Sequence, residues 1–136
     1  MQMEVKILLH TNFLFIPLQL KIDIFSEINR LINFKYEMII LKASIDELKS
    51  LYKSASIYRK KQIEFVLKQT EKIKIVDYTD EDGTVDELIL KFASTHSNVI
   101  VATNDQNLRR KLRKKHVPVI YVRQKKTLGL DGEIPL

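Results

Sequence analysis

The chain has 136 residues, 45% hydrophobic and 29% charged, enough to bury one core and outside the polar, apolar-poor class that stays disordered. It has no cysteine, which excludes disulfides, thiolate metal sites and cysteine nucleophiles and fits a reducing, cytoplasmic setting. Lys and Arg total 23 against 17 Asp and Glu, a formal net charge of +6 that raises the expectation of a nucleic-acid partner.

In chain order, Val5 to Leu9 is an apolar run broken only by Lys6, the pattern of a buried strand. The apolar stretch continues to Leu20, but His10, Thr11, Asn12 and Gln19 interrupt it and it lacks a signal-peptide cleavage pattern, so no targeting or membrane segment is expected. A turn is predicted at His10–Asn12. Ile24, Phe25, Ile28, Leu31 and Ile32 recur at helical spacing and predict an amphipathic helix from about Asp23 to Ile32. Met38 to Leu41 reads as a second strand. Ser44-Ile45-Asp46-Glu47 then has the pattern of a capping box opening a helix that ends near Tyr52. Ser56 to Lys72 is rich in strong helix formers, with Ile57, Ile63, Val66 and Leu67 as a rough stripe. Ile73 to Val76 is the third strand.

Asp77 to Gly83 reads as a polar loop, and Thr84-Val85-Asp86-Glu87 repeats the capping-box pattern before Leu88, Ile89, Phe92 and Ala93. Val99 to Ala102 is the fourth strand, Thr103-Asn104 a turn, and Gln106 to Lys115 a basic helix turning Leu108 and Leu112 to the core. Pro118 precedes a last strand, Val119 to Val122. Gly129 to Leu136, with two glycines, a proline and little periodicity, reads as a flexible or docking tail that needs a partner or a groove to be ordered. Strands alternating with helices imply right-handed crossovers, a mainly parallel sheet and helices on both faces, within one domain spanning 1–136.

In such sheets ligands bind beyond the carboxyl ends of the strands. His10 follows the first strand, Glu47 opens the helix after the second, Asp86 opens the helix after the third and Asp105 the helix after the fourth, so all four should meet at one edge. Clustered carboxylates repel and ask for a cation; an oxygen set without thiolate favours Mg²⁺ or Mn²⁺, and the implied chemistry is metal-assisted hydrolysis. Acids in first helical turns are also favoured by the helix dipole and by capping, with Asn104 available to cap the last helix, so it is co-location that carries the inference. Charge is segregated: Arg109 to Lys126 holds nine Lys or Arg and no acid, whereas Asp77 to Glu87 holds six acids and no base. Arg109, Arg110, Arg113, Lys114, Arg123, Lys125 and Lys126 are therefore the candidate nucleic-acid-binding residues. Tyr121 among them offers either a base-stacking face or a partly buried ring.

VKILLHTNFLFIP at the start, SIDELKSL after the second strand, TVDELIL after the acidic loop, and ATNDQNLRRKL with VPVIYVRQKK near the end together resemble the PIN-domain family, notably small archaeal members related to ribosome-processing PIN nucleases and VapC toxins. The resemblance spans nearly the whole chain and implies a three-layer PIN-like sandwich. It places Asn12, Glu47, Asp86 and Asp105 at the family's polar active-site positions, and it implies an endoribonuclease that holds Mg²⁺ or Mn²⁺. One departure stands out: the family's first strand usually ends in aspartate-threonine-asparagine, and here the residues are His10-Thr11-Asn12. An anionic ligand is replaced by an imidazole, which suits manganese or a softer metal better than magnesium. Asp46 and Glu87 cannot substitute for their neighbours, because adjacent helical residues point about 100° apart. The expectations are an active metal-dependent endoribonuclease in RNA processing or ribosome maturation with His10 as a candidate ligand, a PIN scaffold that binds RNA without cleaving it, and a VapC-like toxin held by an antitoxin-like partner and forming a homodimer.

Overall fold

The computed structural model describes residues 4–78 and 82–134. Strand β1 (Val5–Leu9) lies in the middle of the sheet, between β2 (Tyr36–Leu41) and β4 (Val99–Ala102), and pairs in parallel with both. That position explains its continuous apolar run, since a central parallel strand is covered on both faces. Along the strands the side chains alternate: Ile7, Leu9, Ile40, Ile100 and Ala102 join one core, and Leu8, Ile39, Leu41, Val99 and Val101 the other. The full order is β3-β2-β1-β4-β5-β6, with β3 (Lys74–Val76) and β5 (Val119–Arg123) also parallel to their neighbours and β6 (Thr127–Asp131) antiparallel to β5. Helices cover both faces, so the fold is a three-layer α/β sandwich. Among the described residues no helix is long and apolar enough to cross a membrane.

On the first face lie a 3₁₀ turn (Thr11–Phe15) that runs into α1 (Ile16–Leu20), then α2 (Ile24–Leu31) and α4 (Ile57–Gln69). The first two follow the predicted turn at His10–Asn12 and were not foreseen as helical. Phe13, Leu14, Phe15 and Ile16 are all buried, so no polar face exists to mark a helical period. Pro17 in the first turn of α1 and Lys21 in the left-handed conformation after it, φ 57°, are the local start and stop. Asp23 caps α2 by accepting from Ser26 N–H at 3.1 Å, and Ser56 caps α4 by accepting from Arg59 N–H at 3.1 Å. α4 ends in a 3₁₀ turn, Thr70–Lys72, as the predicted span implied, but Ile57 is 79% exposed and does not belong to the buried stripe of Ile63 and Val66.

The capping box expected at Ser44 does not form. Helix α3 (Lys42–Ser54) starts directly from β2, with Leu41 at the cap and no side-chain cap bond. The earlier start turns Ile45 and Leu48 into the core and takes Ser44 with them, fully buried. On the second face, α5 (Val85–Thr95) is capped by Thr84 as predicted: Thr84 Oγ1 accepts from Glu87 N–H at 3.2 Å and donates to the Glu87 carboxylate at 3.1 Å. α6 (Gln106–Lys114) completes that layer with Leu108 and Leu112 inward. Of the predicted loop Asp77–Gly83, residues 79–81 lie outside the described residues.

The tail expected from Gly129 is, as far as Asp131, part of β6; residues 135 and 136 lie outside the described residues. Two local features hid this strand. Its turn carries no Asn-Gly signal, although Gln124 and Lys125 adopt the positive φ values, 53° and 58°, that such turns need. And Gly129, which reads as a strand breaker, is required by packing: it pairs with Tyr121, whose ring would lie 3.0 Å from a β-carbon at position 129.

β6 is tied to α2 by Glu27, which accepts from Arg30 at 3.1 and 3.2 Å, from the Thr127 hydroxyl, and from Leu128 N–H at 3.2 Å. These bonds, led by that from Arg30, push the Glu27 carboxyl down to about 2. Because the folded value lies below the unfolded one, the stability this group contributes is complete above about pH 4.5 and is lost as pH falls toward 2. Glu27→Gln should therefore flatten the acid limb of a urea-midpoint against pH curve, and a variant with the parent's acid limb would show that the tie contributes nothing. Ser44 Oγ has no hydrogen-bond partner among the described residues. Ser44→Ala should raise stability by about 1 kcal/mol in urea unfolding, since it removes a buried unsatisfied hydroxyl and improves helix propensity; a loss of that size would reveal a partner for the hydroxyl.

Candidate active site

The sheet brings the ends of β1 and β4 together, and the chemistry sits on those ends. His10, first residue after β1, donates its backbone N–H to Ala102 O at 2.9 Å, which extends the ladder past the strand. Its side chain is 9% exposed. Nδ1 lies 2.7 Å from Thr103 Oγ1, and Nε2 lies 3.2 Å from Asp86 Oδ1.

Burial pushes the His10 pKa below its ordinary value, and this outweighs the opposing pull of Asp86, Asp105 and Glu47. The ring is therefore neutral near pH 7, and its neighbours select the tautomer. A carboxylate can only accept, so Nε2–H donates to Asp86; Nδ1 then accepts from the Thr103 hydroxyl. That hydroxyl has a single proton. It goes to His10 at 2.7 Å, not to Asn12 Oδ1 at 3.5 Å, and Asn12 Oδ1 accepts from Asn104 N–H at 3.2 Å. Thr103 Oγ1 also accepts from Asp105 N–H at 3.1 Å. Thr103, 1% exposed, is thus the junction between His10 and Asp105, and sequence reading passed it over as a turn residue. The available signal was a threonine beside asparagine and aspartate at a strand end, where short polar side chains bond nearby backbone.

Asp105 itself caps α6: Oδ1 accepts from Asn107 N–H at 2.8 Å and Leu108 N–H at 3.1 Å. This corrects the expectation that Asn104 would take the cap. Asp105 is the residue whose backbone is extended just before the helix, φ −90° and ψ 111°, as a capping residue must be. Asp86 sits half-buried in the first turn of α5. Glu47 is exposed on α3 and, because the helix starts early, lies one turn further from the strand end than its predicted place. All three acids act electrostatically on His10, but only Asp86 touches its ring.

The donor chemistry suits a hard dication, three carboxylates and no thiolate, but the placement does not. Among the described residues no set of three or more His, Asp and Glu side chains is arranged to hold a metal ion. Both ring nitrogens of His10 are engaged, so it presents no lone pair for coordination while these bonds persist.

The basic candidates divide. Arg109 and Arg113 both bond Asp131, at 2.9 and 3.2 Å, and the Arg109 guanidinium lies over the Tyr121 ring, 3.6 Å from its centre. Tyr121, half-buried with Gly129 packed against it, is therefore covered and does not offer a free stacking face. Arg110 and Lys114 are exposed on α6, and Arg123, Lys125 and Lys126 are exposed around the turn between β5 and β6.

The sequence matches the family described as PIN like domain over residues 7–125. The chain belongs to the PIN-like domain family. This PIN-like chain is also 40% identical over 131 residues to Ribonuclease VapC4 of Methanocaldococcus jannaschii, covering 95% of the chain and 98% of that relative. Its fold resembles the PIN domain endonuclease Utp24, with a TM-score of 0.78 and 23% identity over 95% of this chain and 92% of that one. It also resembles VapBC2 from Rickettsia felis, solved bound to a DNA fragment from its promoter, with a TM-score of 0.63 and 15% identity over 88% and 100% of the two chains. At these identities the two structures speak for the fold alone.

The Thr103 junction makes a specific prediction for the PIN-like chain. Thr103→Val keeps the shape but leaves His10 Nδ1 and Asp105 N–H without their partner, and should cost about 2 kcal/mol, whereas Thr103→Ser should cost less than about 1 kcal/mol. Chemical denaturation measures both. Equal losses in the two variants would mean that the methyl group, not the hydroxyl, matters.

Proposed function

We propose that this PIN-like chain is an endoribonuclease acting on single-stranded RNA, with Asp86, Asp105 and Glu47 as its anionic working groups and Asn12 as the residue that positions the turn carrying Asp105. The observation that carries this reading is the buried His10 at the carboxyl edge of the sheet, bonded to Asp86 at 3.2 Å and joined through Thr103 to Asp105, with Glu47 acting on it electrostatically. The 40% identity to a relative named as a ribonuclease, across nearly the whole of both chains, supports RNA as substrate. A divalent ion, Mg²⁺ or Mn²⁺, belongs to the proposal, with Asp86, Asp105 and Glu47 as its ligands only after side-chain rearrangement. RNA processing or ribosome maturation is the proposed setting.

A second reading, RNA binding without cleavage, is favoured by one specific observation: the Nε2–H of His10 already occupies an oxygen of Asp86. A neutral donor there neutralises no charge, but it holds the carboxylate in place.

Cleavage of a panel of single-stranded and hairpin RNAs, in Mg²⁺ and in Mn²⁺, separates the two. The parent should cleave, and Asp86→Asn and Asp105→Asn should each lower the rate by about 100-fold, about 2.7 kcal/mol of transition-state stabilisation. Asn can still accept at the cap of α6, so Asp105→Asn tests charge without unfolding the helix. His10→Asp should raise the Mg²⁺-supported rate about tenfold by adding an anionic oxygen ligand. No cleavage by either the parent or His10→Asp, with either metal, would sink the nuclease reading; retained RNA binding in the same samples would then establish the scaffold.

A further inference from the structure

α6 carries a second arrangement that the acid cluster does not use. Gln106, Arg109, Arg110, Arg113, Lys114 and Asp131 line an open pocket of ≈ 630 Å³, four cations around a single anion. A smaller pocket of ≈ 40 Å³ shares Gln106 and Arg109 with it and is otherwise lined by Thr103, Asn104 and Asp105 at the acid-bearing edge, with Tyr121 and Val122. Positions four apart share a helix face, so Arg109 and Arg113 form one row and Arg110 and Lys114 the next.

The anion is held in a particular way. Arg109 Nε donates to one oxygen of Asp131 at 2.9 Å, and Arg113 Nε approaches the other at 3.2 Å. Two guanidinium groups thus converge on one anion with a single N–H each, and a phosphate, with more oxygens than a carboxylate, can accept from both and also take their remaining N–H groups. The Arg109 side of the grip is set by Tyr121, over which its guanidinium lies, and the Arg113 side by a bond to Val117 O at 3.3 Å. Gly132 leaves room for Arg113, since a β-carbon there would come within 2.5 Å of it. All three charged side chains are about a third exposed, 30%, 34% and 32%, and ion pairs this accessible are weak, so a stronger anion can replace the carboxylate.

We infer that this pocket is a phosphate subsite for RNA in which Asp131 is a resident counter-anion: a backbone phosphate of the bound strand takes Arg109 and Arg113 over from Asp131, while Arg110 and Lys114 contact the flanking phosphates. The inference rests on the RNA reading above and adds to it a location and a displacement. It requires Arg109 and Arg113 to leave Asp131 for the strand, whereas a merely basic surface would leave them paired.

The test uses the full chain and a labelled oligouridine of about 12 nucleotides, with affinity measured over a salt series from about 50 to about 200 mM. Asp131→Asn should bind about fivefold more tightly than the parent, because no counter-anion has to be displaced from Arg109 and Arg113, and should steepen the salt slope by up to about 0.7, the one phosphate the two arginines hold. Arg110→Ala combined with Lys114→Ala should weaken binding about tenfold and flatten the slope by about 1.4, two flanking phosphates at about 0.7 each. In the parent, the Arg109 and Arg113 Nε–H resonances should move on adding RNA. Asp131→Asn binding with the parent's affinity and slope, or unmoved arginine resonances in an RNA complex, would overturn the subsite and leave the RNA reading standing. Should the loss of Asp131 loosen β6, the double variant and the resonances decide alone. Tripolyphosphate that shifts both arginines in a parent that binds no RNA would support the anion subsite and overturn its assignment to RNA.

Discussion

The hydroxyl of Thr103 can join His10 to Asp105 only because β1 and β4 run side by side and in the same direction, so that both chains leave the sheet at one level. From that parallel register follow the bond from His10 N–H to Ala102 O, the 2.7 Å contact between the His10 ring and Thr103, and the delivery of Asp105 to the start of α6. An antiparallel pair would place one of these ends at the far side of the sheet, some 15 Å away for strands of this length at about 3.3 Å per residue. The acid cluster is thus a product of topology first and of side-chain chemistry second.

Electrostatics at this edge reverses the usual expectation for histidine. A ring bonded to one carboxylate and near two more would ordinarily hold its second proton more tightly. Here the loss of hydration outweighs the three acids, and the ring is held neutral. The carboxylates around it are consequently not neutralised from within, and the edge keeps the negative charge that an added cation would meet. His10 therefore brings no cation of its own to this edge.

What was legible in the sequence was what repeats. The strands of the parallel core, the amphipathic α2, and the Thr84 cap of α5 are set by local pattern, and the four strand-end residues were located by the topology those patterns imply. Less legible was whatever depended on a neighbour distant in sequence. Ser44 has the pattern of a cap, but burial of Ile45 and Leu48 sets where α3 begins. Gly129 has the pattern of a breaker until Tyr121 is seen lying against it. The division of the basic run into paired and exposed members depends on Asp131, more than fifteen positions away from the arginines it holds and inside a segment that reads as tail. Thr103 is not legible as a junction, because a hydroxyl advertises nothing in sequence about which groups it will join.

The contact between Gly129 and Tyr121 has a consequence for how the chain can vary. Any side chain at position 129 must displace the Tyr121 ring, and Arg109 rests on that ring while gripping Asp131. A substitution in a strand with no chemistry of its own is thereby felt on α6. Positions 109, 121, 129 and 131 should drift through evolution as an epistatic set, in which a change at one is tolerated only against particular residues at the others.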